Sequence, residues 1–176
     1  MGSFLSLPVM MIVAALQVTV MPQISFLGGR PDLVFLVVVT WALNSPLEQA
    51  VLWAFVGGIC KDLLSAAPLG TSVVGLLLII FAIHLVRQQL FSVGIFTLIW
   101  VSILGTVIQV FCVFLILTVS GFQPQFADQL GYGIMLDQFR LFIMPTIVYN
   151  LIGILPVYIV TRIIQRAVGT DLRLTR

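Results

Sequence analysis

The sequence predicts an all-α integral membrane protein: a bundle of six transmembrane helices with a short second helix and both termini in the cytoplasm. Three observations carry this. Of 176 residues, 61% are hydrophobic and 8% charged, against about 25% charged in soluble domains, so polar surface is too scarce to coat a water-exposed particle. Cutting at the charges and the Pro/Gly/Asn clusters leaves apolar runs over 4–22, 33–43, 47–64, 70–90, 92–119 and 140–164. The basic residues divide unevenly between the two sides this pattern creates. The whole chain, 1–176, reads as one membrane domain ending in a basic cytoplasmic tail over 165–176.

Five runs reach the roughly 17 to 25 residues a spanning helix needs. The first, 4–22, has no Lys or Arg in its opening ten residues, and "QVTVMPQIS" offers no small-x-small cleavage site, so it reads as a retained helix. The second, 33–43, covers only about 17 Å at helical rise, well short of the hydrocarbon core. Its lead-in, "FLGGRPDL", has Gly28 and Gly29 for unusual backbone angles, Pro31 in the first helical turn and Asp32 complementing the helix dipole. Irregular backbone at membrane depth must be buried in protein or line a cavity. A shallow outward-facing depression is therefore expected, bordered by Asp32 and Asp62.

The third run begins with Asn44 or Ser45 as cap and Pro46 in the first helical position. Lys61 then lies about 21 Å along the helix, inside a core about 30 Å thick. Adjacent helical residues point about 100° apart, so Lys61 is free to snorkel outward on its apolar stem while the shorter Asp62 turns into the bundle. Ala50, Ala54 and Gly58 form a small-xxx-small strip. It suits either packing within the bundle or docking of a partner's helix. Pro68 and Gly70 turn the chain into the fourth run, where His84, Arg87 and Gln88 share a face near the inner end.

On the fifth run Ser102, Gly105, Thr106 and Gln109 follow i, i+3, i+4, i+7 and face the interior. Residues 120–138 carry Phe122, Phe126 and Tyr132 among polar groups, which suits a segment lying at the outer interface. The sixth run places Tyr149 and Asn150 near mid-depth between Pro145 and Pro156, prolines that kink the helix. Its start could lie several residues before 140.

Orientation follows from charge. With the N-terminus inside, Arg87, Arg162, Arg166, Arg173 and Arg176 are cytoplasmic and Arg30, Lys61 and Arg140 are outside, so the inner side holds the excess. The tail "TRIIQRAVGTDLRLTR" then meets the anionic lipids of the inner leaflet.

Catalytic motifs are missing from the sequence. "GGICKD" is no phosphate-cradling loop, the lone His84 excludes HExxH, and G-x-S-x-G is absent. Cys60 and Cys112 have no metal-ligand spacing and read as small packing residues. Asp32 and Asp62 could form a carboxylate pair, but ion pairing or capping explains them more simply. No cofactor, metal or nucleic-acid partner is expected.

Three segments in order, "GRPDLVFLVVVTWAL", "GGICKDLLSAAPLG" and "YNLIGILPVYIVTRII", resemble the MreD family of bacterial rod shape-determining membrane proteins over roughly residues 5–165. The resemblance implies a non-enzymatic subunit of the lateral wall-elongation machinery in the inner membrane. Its implied partners are MreC, with one membrane helix and a large extracytoplasmic domain, and also MreB filaments, the RodA polymerase and a penicillin-binding transpeptidase. The matching motif positions are Pro31, Asp32, Asp62, Pro68, Gly70, Tyr149 and Asn150; Lys61 lies outside the pattern. The family's likeness to the substrate-binding subunits of energy-coupling-factor transporters leaves a vitamin-binding subunit as the alternative. Neither Ala14 nor Ala15 has the alanine four residues later that such subunits use for docking. The scaffold reading has the Ala50/Ala54/Gly58 strip holding the partner's helix and the outer rim orienting its juxtamembrane segment.

Overall fold

Six α-helices make up the computed structural model, which describes residues 5–23, 29–65, 68–87, 94–119 and 132–168. They are α1 (Ser6–Thr19), α2 (Leu33–Ala42), α3 (Leu47–Leu63), α4 (Thr71–Arg87), α5 (Ile95–Val119) and α6 (Tyr132–Val168), with a 3-10 turn over Met21–Gln23 after α1. The sixth helix starts well before residue 140 and runs through both Pro145 and Pro156. Residues 120–131 of the suggested interfacial segment lie outside the described residues, as do Gly28 and Gln88.

The short helix is the centre of the molecule. Val34, Phe35, Leu36, Val38, Val39, Thr40, Trp41 and Ala42 of α2 are all buried, and α2 packs against each of the other five helices. Around it α1 packs on α3, α3 on α4, α4 on α5 and α5 on α6. Between α1 and α6, contact among the described residues is marginal at most. The ring is open at that seam.

Glycines set how closely the ring approaches the centre. A Cβ on Gly57 of α3 would sit 3.1 Å from Val38 Cγ2 and 3.2 Å from Val34 Cγ1, with Met10 Sδ of α1 at 3.1 Å. One on Gly105 of α5 would meet the Phe35 ring at 2.8 Å, and one on Gly153 of α6 would meet Leu36 Cδ1 at 2.8 Å. Each side of α2 is thus assigned to a neighbour. At about 100° per residue, Leu33 and Val37 fall between the α6-facing Leu36 and the α1- and α3-facing Val34. Both are only half-buried, so they line the open seam.

Three described stretches are long and apolar enough to cross a bilayer on length and composition: Ser6–Gln23, Ile95–Ile116 and Ile143–Ala167. The sequence suggested five. The difference lies in α3 and α4, which have 17 residues each and so extend about 25 Å; α3 also carries Glu48, Lys61 and Asp62.

The Ala50/Ala54/Gly58 strip is occupied within the bundle. Ala50 and Ala54 are 2% and 0% exposed, and a Cβ on Gly58 would lie 2.7 Å from the Val73 Cα of α4. The strip lets two backbones of this chain meet, so in this fold it offers no surface to a partner's helix.

Candidate functional site

The polar side chains of the bundle gather at the two ends of α2. A helix of 10 residues spans about 15 Å, and α2 is buried among its five neighbours, so its unpaired backbone groups are cut off from water and are costly if left unsatisfied. Neighbouring helices supply what is missing.

At the first end, Asp32 is the N-cap itself: its Oδ1 accepts from Phe35 N at 3.0 Å. Pro31 precedes the cap instead of occupying the first turn. Its carbonyl accepts from Gln17 Nε2 at 3.2 Å, while Gln17 Oε1 accepts from Leu33 N at 2.6 Å. The Asp32 N–H donates to Asn150 Oδ1 at 2.8 Å, and Asn150 Nδ2 donates to Thr106 Oγ1 at 3.0 Å. Thr106 in turn donates to the Ser102 carbonyl at 2.7 Å, which ties α1, α2, α5 and α6 into one network. Tyr149 is half-buried next to Asn150. Gly29 meets the backbone and Cβ of Pro145, where a Cβ of its own would be 2.3 Å from Pro145 Cβ.

Lys61 and Asp62 take separate roles. The Lys61 ammonium donates to Asp32 Oδ2 in an ion pair between α3 and the α2 cap. This corrects the expectation that Lys61 snorkels to the headgroups: a carboxylate one helix away gives it a closer partner. Asp62 is 2% exposed and accepts from Gly70 N at 2.8 Å and from Ser72 N at 3.0 Å. It caps the start of α4 from another helix. Gly70 has φ 96°, a conformation only glycine adopts freely, and the Pro68 carbonyl accepts from Thr71 Oγ1 at 2.7 Å. Each of the two carboxylates has its own partners, in the backbone or on Lys61.

At the other end, Arg87 Nη1 of α4 donates to the Ala42 and Ser45 carbonyls at 3.2 and 2.6 Å, placing a cation at the negative end of α2. Gln165 Nε2 of α6 donates to the Trp41 carbonyl at 2.9 Å. Gln165 is 0% exposed, so it belongs to the bundle and not to a solvated tail. The α3 start also differs from expectation: Pro46 is the N-cap, and Ser45 Oγ instead donates back to the Trp41 carbonyl at 2.9 Å. Trp41 and Trp53 stack with ring centroids 3.8 Å apart.

Sequence reasoning singled out Asp32, Asp62, Thr106, Asn150 and Arg87 and missed Gln17 and Gln165. A lone amide in an apolar run was the available signal. Among the described residues no three His, Cys, Asp or Glu side chains gather as metal ligands would. What the arrangement does chemically is hold a buried short helix and its lead-in rigidly in place.

The family model described as rod shape-determining protein MreD matches residues 1–168. No curated protein and no solved structure matches the chain.

Proposed function

The chain belongs to the MreD family, a non-enzymatic multi-pass protein of the inner membrane, and from that premise we propose that it scaffolds lateral wall elongation by holding the single membrane helix of MreC. All six helices cross the membrane in this reading, with both termini cytoplasmic and the Asp32–Lys61 end outside. MreB, RodA and a penicillin-binding transpeptidase join the same assembly.

The observation that carries the reading is the seam between α1 and α6. A ring of five helices around α2 closes at every junction but that one, and the half-buried Leu33 and Val37 line the gap. One more helix completes the ring and covers them. Support also comes from the fixed outer end: Gln17, Lys61 and Asn150 lock the lead-in over residues 29–33, which gives a partner's juxtamembrane segment a rigid surface.

Val37→Trp fills the seam and should lower recovery of co-expressed MreC at least tenfold. Leu104→Trp, on a lipid-exposed face of α5, should leave it unchanged. Equal recovery with a folded Val37→Trp protein sinks the seam as the MreC site.

A further inference from the structure

The two prolines inside α6 stand in different surroundings. Proline has no N–H, so within a helix it leaves the carbonyl four residues earlier without its donor. Pro145 is half-buried and is covered from within the chain, because Gly29 lies against its backbone and Cβ. Pro156 is exposed, and the carbonyl it deprives is that of Ile152, a residue 68% exposed. No side chain among the described residues donates to that carbonyl. In a membrane helix such a proline is tolerated where a neighbouring helix, a hydroxyl side chain or an ordered water supplies the missing bond.

Position decides which neighbour can supply it here. Residues three apart on a helix fall about 60° apart, so Asn150, Gly153 and Pro156 fan across α6 in one direction. Asn150 donates to Thr106 of α5. Gly153 takes the end of Leu36 of α2, 2.8 Å from where its own Cβ would be. The next step, Pro156, therefore faces past α2 on the side away from α5, which is the seam. On α2 the same order repeats: Phe35 meets Gly105 of α5, Leu36 meets Gly153 of α6, and Val37, about 100° further on, is the half-buried residue at the gap. A helical carbonyl points along the axis toward residue i+4, so the Ile152 oxygen opens beside Pro156 at the edge of the seam. Across the gap, the polar groups in the second half of α1 are already engaged, Gln17 with the α2 lead-in and Thr19 with the Ala15 carbonyl.

Resting on the reading that the seam takes the single helix of MreC, we propose that this helix carries a Ser, Thr, Asn or Gln side chain that donates to the Ile152 carbonyl. Leu33 and Val37 on the floor of the seam are apolar and hold a helix without regard to its height. One open acceptor sets the depth at which the partner sits.

The full chain is co-expressed with MreC, each Ser, Thr, Asn and Gln of the MreC membrane helix is replaced in turn by Ala, and recovery of MreC is measured in dodecyl maltoside. One replacement should lower recovery by about threefold or more, the size of one hydrogen bond between membrane helices. Pro156→Ala returns a donor to the Ile152 carbonyl from within α6, so the same MreC replacement should then leave recovery unchanged. If Pro156→Ala by itself releases MreC, disulfide formation takes its place, with Cys60 and Cys112 replaced by Ala. Val160→Cys, one turn beyond Pro156, should then cross-link to a cysteine within one turn of the sensitive MreC residue. The hydrogen bond is overturned if no replacement matters, if the Pro156→Ala protein shows an equal loss, or if no cross-link forms. Val37→Trp separates this outcome from failure of the seam: retained recovery sinks the seam, whereas lost recovery with no sensitive donor keeps the seam and removes only the hydrogen bond.

Discussion

Asp62 shows how one buried carboxylate is made tolerable inside a helix bundle. It is 2% exposed, and an isolated charge there is strongly unfavourable. Its oxygens instead receive the Gly70 and Ser72 N–H groups, donors that the start of α4 cannot use internally. The positive end of the α4 dipole adds to the attraction. Gly70 makes this possible because its φ of 96° turns the chain back over the carboxylate. Replacing Asp62 with Leu removes both acceptors at once and should destabilise the protein by about 2 to 6 kcal/mol, the sum for two donors left unsatisfied. Asp62→Asn keeps one acceptor oxygen and should lie between Leu and the wild type. Melting in dodecyl maltoside orders the three proteins, and an unchanged midpoint for Asp62→Leu would show that the cap contributes nothing to folding. Lys61 differs in kind: its partner Asp32 also caps Phe35 N, so the ion pair joins α3 to a cap that already stands by itself.

Helix α2 is short because its neighbours allow it to be. At one end the Leu33 and Phe35 N–H groups are met by Gln17 and Asp32, and at the other the Trp41 and Ala42 carbonyls by Ser45, Gln165 and Arg87. Close helix packing then depends on glycines whose neighbours differ in how far they can yield. A Cβ on Gly58 would press on backbone atoms of Val73 at 2.7 and 2.8 Å, whereas one on Gly75 would press on the end of the Gln109 side chain at 2.4 Å. Backbone can yield only by parting α3 from α4; an amide can change rotamer. Gly58→Ala should therefore cost about 1 to 3 kcal/mol, the usual range for overpacking, and Gly75→Ala clearly less despite its shorter contact. Denaturation of the two purified variants checks the order, and the reverse order would refute the packing account. The length of α2 was legible in the sequence, since charge and proline bound the run on one side and Asn44 on the other. So was the inward face of α5, because Ser102, Thr106 and Gln109 repeat at helical spacing. Gln17 and Gln165 were not legible as caps: a single amide has no period, and its partner is fixed only when helices distant in sequence come together. The strip over Ala50, Ala54 and Gly58 was legible as a close contact, but the identity of the other helix was not.

At the scale of the molecule, six helices enclose one of their number, and only three are long and apolar enough to be recognised as spans among the described residues. The six-span reading proposed above requires partners inside the bundle to replace the apolar residues a solitary helix would need. The case turns on α3. Its 17 residues cover about 25 Å, and its charged last turn is drawn into the protein by Asp32 and the α4 start. For α3 to be a span, the remaining apolar stretch must cross a core about 30 Å thick with its turn residues included. In the proposed orientation, set by the excess of arginines on one side, Glu48 faces the cytoplasm and Leu69 faces outward. Both are exposed, Glu48 in the first turn of α3 and Leu69 beyond its last. With Cys60 and Cys112 replaced by Ala, Leu69→Cys should react with a membrane-impermeant maleimide added to spheroplasts, and Glu48→Cys should react only after lysis. Reversed labelling would invert the molecule. Labelling of both from the same side would mean that α3 does not cross, and the six-span reading would fail with it.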